Sequence, residues 1–188
     1  MHLPDDFLDP SQSYISTGTL PPESQVPQLV REAHERFGAL DQGHVSQVYP
    51  ALARVNPKLF GICVAGTDGR LYSVGDAEYL FTIMSVSKPF VFALVCDLIG
   101  PTGVRERIGT NATGYAFNSV TGVERMADGR TNPMVNAGAI ATTSCVPGAN
   151  VEEKWRFLIE RLSRFAGRRL TLNDDVYVSA SATNFRNR

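Results

Sequence analysis

The sequence is poor in the residues that most often carry metal or redox chemistry. Only three of its 188 residues are cysteine and three are histidine. Cys63, Cys96 and Cys145 lie far apart with no Cys-x-x-Cys pair, which argues against a disulfide framework and fits a reducing cytosol. As small apolar side chains they are expected inside the fold. His2, His34 and His44 lack metal-like spacing and read as surface residues, which sets aside a zinc site and a histidine-based triad. An excess of either charge is missing too: 18 basic residues stand against 19 acidic ones, for a net charge of −1. With no basic stripe or polybasic segment, neither nucleic acid nor lipid is an expected partner. No basic stretch followed by an apolar run opens the chain, and no apolar run reaches the roughly 20 residues of a membrane span. Neither a signal peptide nor an anchor is therefore expected.

What is present is ordinary globular composition, 43% hydrophobic and 20% charged, of a length that suits one domain. Residues 1–25, rich in Pro, Ser, Asp and Thr, read as a flexible leader, and 26–188 as the folded domain. Val26, Leu29, Val30, Ala33 and Phe37 recur at helical spacing, and a second helix is expected over 44–55. Two strands, 59–65 and 71–75, flank an Asp68-Gly69 hairpin signal. Tyr79 to Met84 reads as apolar strand running into Ser85, and Val86 to Ile99 as a buried helix stopped by Gly100-Pro101. Residues 101–134 read mostly as loop, and 135–146 as a small-residue helix. Asn150 and Glu153 make a capping box ahead of the stripe Trp155, Leu158, Ile159, Leu162, Phe165. A last helix starts near Asp174 with no stop signal before Arg188, so an interrupted chain is expected.

The local chemistry concentrates at Ser85-Val86-Ser87-Lys88. A serine hydroxyl needs a base to become a nucleophile. Residues i and i+3 of a helical turn share a face, so the Lys88 amine is placed to reach the Ser85 hydroxyl. Lysine acts as a base only when neutral, and the apolar flanks Phe81, Ile83, Met84, Phe90, Val91 and Phe92 supply the desolvation that favours that form. A helix N-terminus also directs free N–H groups at a developing oxyanion. Ser87 is the competing hydroxyl but points elsewhere around the helix. A serine cap with a snorkelling lysine would have the same pattern, and so stays open at this point.

Longer blocks carry a resemblance. Phe81 to Lys88 resembles the nucleophile segment of the serine-dependent glutaminases, and Thr131-Asn132-Pro133-Met134-Val135-Asn136-Ala137-Gly138-Ala139-Ile140 is similar to that family's Asn-Pro-Met-x-Asn-Ala-Gly-Ala signature. Pro50 to Pro57, Val176 to Ser179 and Thr183 to Arg188 add two further blocks in the same order. The resemblance implies an α/β fold of the α+β type: a β-lactamase/transpeptidase-like antiparallel sheet packed with helices plus a helical lobe, here without its C-terminal strands. It implies hydrolysis of L-glutamine to L-glutamate and ammonia through a serine acyl-enzyme. Ser85 is then the nucleophile and a substrate contact, Lys88 its base, and Asn136 and Asn187 bind substrate. No cofactor and no metal are implied, and a cytoplasmic homo-oligomer is expected for the full-length form.

Two positions depart from the family pattern. Ala180 stands where a glutamate meets the substrate ammonium, and Val48 where a tyrosine is expected, with Tyr49 displaced by one. The family's proton-transferring tyrosines and a second oxyanion donor fall beyond Arg188. Two other readings therefore remain: an inactive remnant or binding module of the same family, and a different serine–lysine acyl hydrolase of the penicillin-recognising type.

Overall fold

The computed structural model describes residues 21–119, 121–124 and 130–183. The chain divides into two compact units, Met1–Leu80 and Phe81–Arg188.

In the first unit, helix α1 (Val26–Phe37) packs on a hairpin of strands β1 (Gly61–Ala65) and β2 (Leu71–Gly75), paired antiparallel in the register Gly61–Gly75 to Ala65–Leu71. Hairpin and α1 both follow the sequence expectation. Val30 is the buried residue of α1. His34 is not the surface residue expected: it is half-buried, its ring stacks on Phe60 at 5.0 Å, and its Nε2 lies 3.3 Å from the Phe60 carbonyl. Helical periodicity placed it on the face that meets the hairpin. Cys63, expected inside, is exposed on β1. The expected helix over 44–55 shrinks to the single turn α2 (Pro50–Ala53), because Pro50 fixes a helix start and the stretch before it has no repeating apolar face. Residues 21–25, read as the end of a flexible leader, include Glu23, which pairs with Arg70 and accepts from the Tyr72 hydroxyl.

In the second unit, helix α3 (Ser87–Arg107) meets α5 (Asn136–Ser144) and α6 (Val151–Phe165) around Val95, Val104, Ile108 and Val146, which are at most 2% exposed. Cys96 and Cys145 pack at the edge of this cluster as free thiols. Gly100 breaks α3 with φ 77°, the conformation a side chain resists, and Pro101 restarts it. The stop was legible at Gly100; the restart was not, so 101–107 is helix rather than the loop expected. A short α4 (Thr121–Glu124) follows. By length and composition alone, Met84–Arg107 is apolar enough to cross a membrane, contrary to the sequence expectation. The break at Gly100 leaves neither part with the roughly 20 residues a span needs.

The expected capping box is present: Asn150 Oδ1 accepts from Glu153 N–H at 2.9 Å, and Glu153 Oε2 reaches back to Ala149 N–H at 2.8 Å. Helix α7 (Asp174–Thr183) starts where expected, with Asn173 Oδ1 accepting from Val176 N–H. The strand expected over 79–84 is absent: residues 79–83 are irregular, with Phe81 81% exposed, and Met84 opens a 3-10 turn. Helices with one two-stranded antiparallel sheet among the described residues make the α+β layout.

Candidate active site

Ser85 occupies a 3-10 turn, Met84–Val86, that feeds into α3. Met84, immediately before it, holds φ 44°, a left-handed conformation that costs a residue with a side chain roughly 1–3 kcal/mol and that persists where the surroundings impose it. The turn presents Ser85 on the surface, with its N–H among the first donors of the helix, which have no intrahelical acceptor. Ser87 is engaged: its hydroxyl donates to the Met84 carbonyl at 2.7 Å. Among the described residues the Ser85 hydroxyl makes no such bond, so of the two serines it is the one available for chemistry.

Lys88 lies in the first turn of α3 and reaches across to the start of α5. Its Nζ donates to Asn136 Oδ1 at 2.8 Å and to the Met134 carbonyl at 3.1 Å, and lies 5.7 Å from the centre of the Phe117 ring. Burial lowers its pKa below the usual 10.5. Ser85 and Lys88 line one cavity of about 520 Å³ with Ile140, Thr143, Ser144 and Lys154. No hydrogen bond joins the serine to the lysine among the described residues; the lysine is instead bonded to Asn136.

Asn136 owes its position to local chemistry. Asn132 Oδ1 accepts from Met134 N–H at 2.8 Å, and its Nδ2 donates to the carbonyls of Thr110 and Asn111, which folds the Asn-Pro-Met stretch into a tight turn. Asn136 N–H then donates to the Phe117 carbonyl at 2.8 Å, opening α5. Gly138 lies against this turn so closely that a Cβ there would collide with the Asn132 carbonyl. With Oδ1 held by Lys88, the Asn136 amide keeps its Nδ2 donors for a ligand oxygen. A larger cavity of about 810 Å³ along α6, lined by Trp155, Ile159 and Leu170, contains Ser163, whose hydroxyl is occupied by the Ile159 carbonyl and the Leu170 N–H. It holds no nucleophile–base pair.

The Glutaminase family model matches residues 43–188. The chain belongs to the glutaminase family. It is 61% identical over 184 residues to Glutaminase 2 of Yersinia pestis, covering 98% of this chain and 54% of that protein. It is 41% identical over 165 residues to the glutaminase of Mycobacterium ulcerans, covering 88% and 52%. The solved structure of the probable glutaminase ybaS superposes with a TM-score of 0.85 at 36% identity, covering 89% of this chain and 54% of that one. A probable glutaminase from Bacillus subtilis, solved in complex with 6-diazo-5-oxo-L-norleucine, superposes with a TM-score of 0.70 at 28% identity, covering 92% and 52%. The chain thus spans about half the length of the relatives it matches. Its fold is theirs, the α+β β-lactamase-like fold expected.

Within this glutaminase-family chain, Ser85, Lys88 and Asn136 come together, and Asn187 lies outside the described residues. Ala180 is half-buried on α7, and Val48 is 67% exposed. Two residues at the site had no signal in the sequence: Phe117, over the lysine, and Lys154, which lines the cavity while its Nζ donates to the Ser144 carbonyl at the end of α5.

Proposed function

We propose that this chain is the serine–lysine portion of an enzyme that hydrolyses the side-chain amide of L-glutamine. The observation that carries this reading is the lysine's bonding. A neutral amine has two hydrogens and one lone pair. In the neutral amine, Asn136 Oδ1 and the Met134 carbonyl account for both hydrogens, so the lone pair stays unshared; to take the Ser85 proton the amine must still close on the serine, to which it is not hydrogen-bonded here. Ser85 Oγ attacks the amide carbon as its proton passes to Lys88. The proton then goes to the amide nitrogen, ammonia leaves, and water cleaves the glutamyl ester to release glutamate. Asn136 Nδ2 binds a substrate oxygen. The ligand of the Bacillus subtilis neighbour, an L-norleucine derivative, supports an amino-acid substrate.

The test is ammonia release from glutamine by residues 1–188 and by a longer reading frame, each with Ser85→Ala and Ser87→Ala. We expect a loss of at least about 10³-fold in Ser85→Ala and a change within a few-fold in Ser87→Ala. Equal rates in Ser85→Ala and the parent would overturn the reading. A second reading, a family member that binds without turnover, is favoured by the missing Ser85–Lys88 bond; glutamine binding with no ammonia release by either form would establish it. The proposal includes a cytoplasmic location, supported by the three free cysteines, and a homo-oligomer for the full-length protein, which light scattering checks.

A further inference from the structure

We propose that Phe117 is a positioning residue for Lys88: its ring closes the amine's surroundings while its carbonyl fixes the helix end that supplies the amine's acceptor. The proposal rests on the reading of Lys88 as the base. The ring centre lies 5.7 Å from Nζ, and the carbonyl of the same residue accepts from Asn136 N–H at 2.8 Å. Helix α5 has no side-chain cap, so Phe117 takes up a backbone donor that would otherwise lack a partner. Core burial does not account for the ring, which belongs to a residue 61% exposed. A Ser119 N–H to Ala116 carbonyl turn at 2.9 Å holds the residue in place.

The ring has two opposing effects on the lysine. It excludes water, which favours the neutral amine, and it presents a π face, which favours the cation. At 5.7 Å the contact is near the outer limit of about 6 Å for such attraction, so exclusion is taken as the larger of the two, and the direction in which Phe117→Ala moves the Lys88 titration decides between them. The direction of the Lys88 shift, downward and caused by burial, agrees. Few other charges compete among the described residues. Helix α5 and residues 131–135 carry no ionisable side chain, and the 109–119 segment carries only Tyr115. From α6, Lys154 lines the same cavity, and Glu153 is bonded to Ala149 N–H. The first turn of α3 has no acidic residue.

The sequence has three lysines, Lys58, Lys88 and Lys154, so competitive acetylation with trace acetic anhydride, read by mass spectrometry across a pH series, resolves each one on the 188-residue chain. In Phe117→Ala we expect Lys88 reactivity relative to the exposed Lys58 to fall about threefold at about pH 8, with the Lys88 titration moving upward toward the ordinary lysine value. Phe117→Leu, which keeps the water exclusion, should leave it at or above the parent value. Unchanged Lys88 titration in Phe117→Ala would overturn the proposal, as would an equal change at Lys154, which would mark a general rearrangement. Acetylation needs no turnover, so it reads Phe117 independently of the nucleophile. Failure of the Ser85 reading would appear separately, as no covalent mass gain on the Ser85 peptide after exposure to 6-diazo-5-oxo-L-norleucine.

Discussion

The amine of Lys88 and the side-chain amide of Asn136 are joined at 2.8 Å across 48 residues of sequence, so the candidate base and the candidate substrate contact form one hydrogen-bonded unit. The neutral amide is suited to this place because it accepts a hydrogen from either form of the amine without fixing a charge. Asn136→Asp would set an anion beside Lys88, hold it as an ammonium and remove its lone pair. A carboxylate this close typically stabilises the cation enough to cost about 10- to 10³-fold in the neutral fraction. Ammonia release near neutral pH should fall by that range and recover in part at high pH. An equal loss at every pH would point instead to lost substrate binding.

Burial of Lys88 also sets a sign for the pH dependence. With a folded pKa below its ordinary 10.5, the unfolded chain binds more protons between the two values, so this residue makes stability rise as pH increases through that window. Tyr72, raised mainly by its hydrogen bond to Glu23, and Cys96, raised by burial, act in the opposite direction above their ordinary 10.0 and 9.0. The difference between parent and Lys88→Met isolates the lysine. Urea unfolding at several pH values should show the parent gaining on Lys88→Met as pH rises; a gap that is constant with pH would count against a buried, destabilised ammonium. Activity should likewise rise with pH and level off below 10.5.

Much of this was legible because local signals decide it. Asn150 and Glu153 stand at the spacing of a capping box, Asp68-Gly69 at the tip of a hairpin, and Asn132 to Ile140 in a block that folds on itself through the Asn132 side chain. What was missed depends on contacts distant in sequence. Nothing in Phe117 announces that it lies over Lys88, and nothing in His34 announces a partner at Phe60. The Ser-x-x-Lys spacing placed serine and lysine on one helical face. It could not reveal that Asn136 and Met134 draw the amine toward α5. The helix expected over 44–55 failed for a local reason: the stretch before Pro50 has no repeating apolar face, so only the turn that the proline starts is formed.

The tight approach of Gly138 to the Asn132 carbonyl carries a prediction about stability. The obstructing atom is backbone, held by the turn that positions Asn136, so it has little room to move. Gly138→Ala should destabilise by about 1–3 kcal/mol, as overpacking does. Gly103, in the second part of α3, is a matched control: a Cβ there would meet Ile99 at 3.7 Å, ordinary contact. Gly103→Ala should stabilise by about 0.5–1 kcal/mol through helix propensity. Urea midpoints measure both. Similar shifts in the two variants would mean that the close approach at Gly138 does not hold in solution.

Ala180 allows a test of what the substrate must carry. The sequence resemblance leads us to expect a carboxylate at this position, against the ammonium of glutamine; here a methyl group stands half-buried on α7. A charge-assisted hydrogen bond of about 1.5–3 kcal/mol corresponds to roughly 10- to 150-fold in binding. Ala180→Glu should therefore tighten glutamine binding by that range. It should leave unchanged, or weaken, the binding of an analogue with the same side-chain amide but no α-ammonium, because the new carboxylate would then face no partner. Isothermal titration with the two compounds separates the cases. Equal effects on both would mean that Ala180 does not face the substrate's ammonium in this chain, and that its amino-acid selectivity, if any, resides elsewhere.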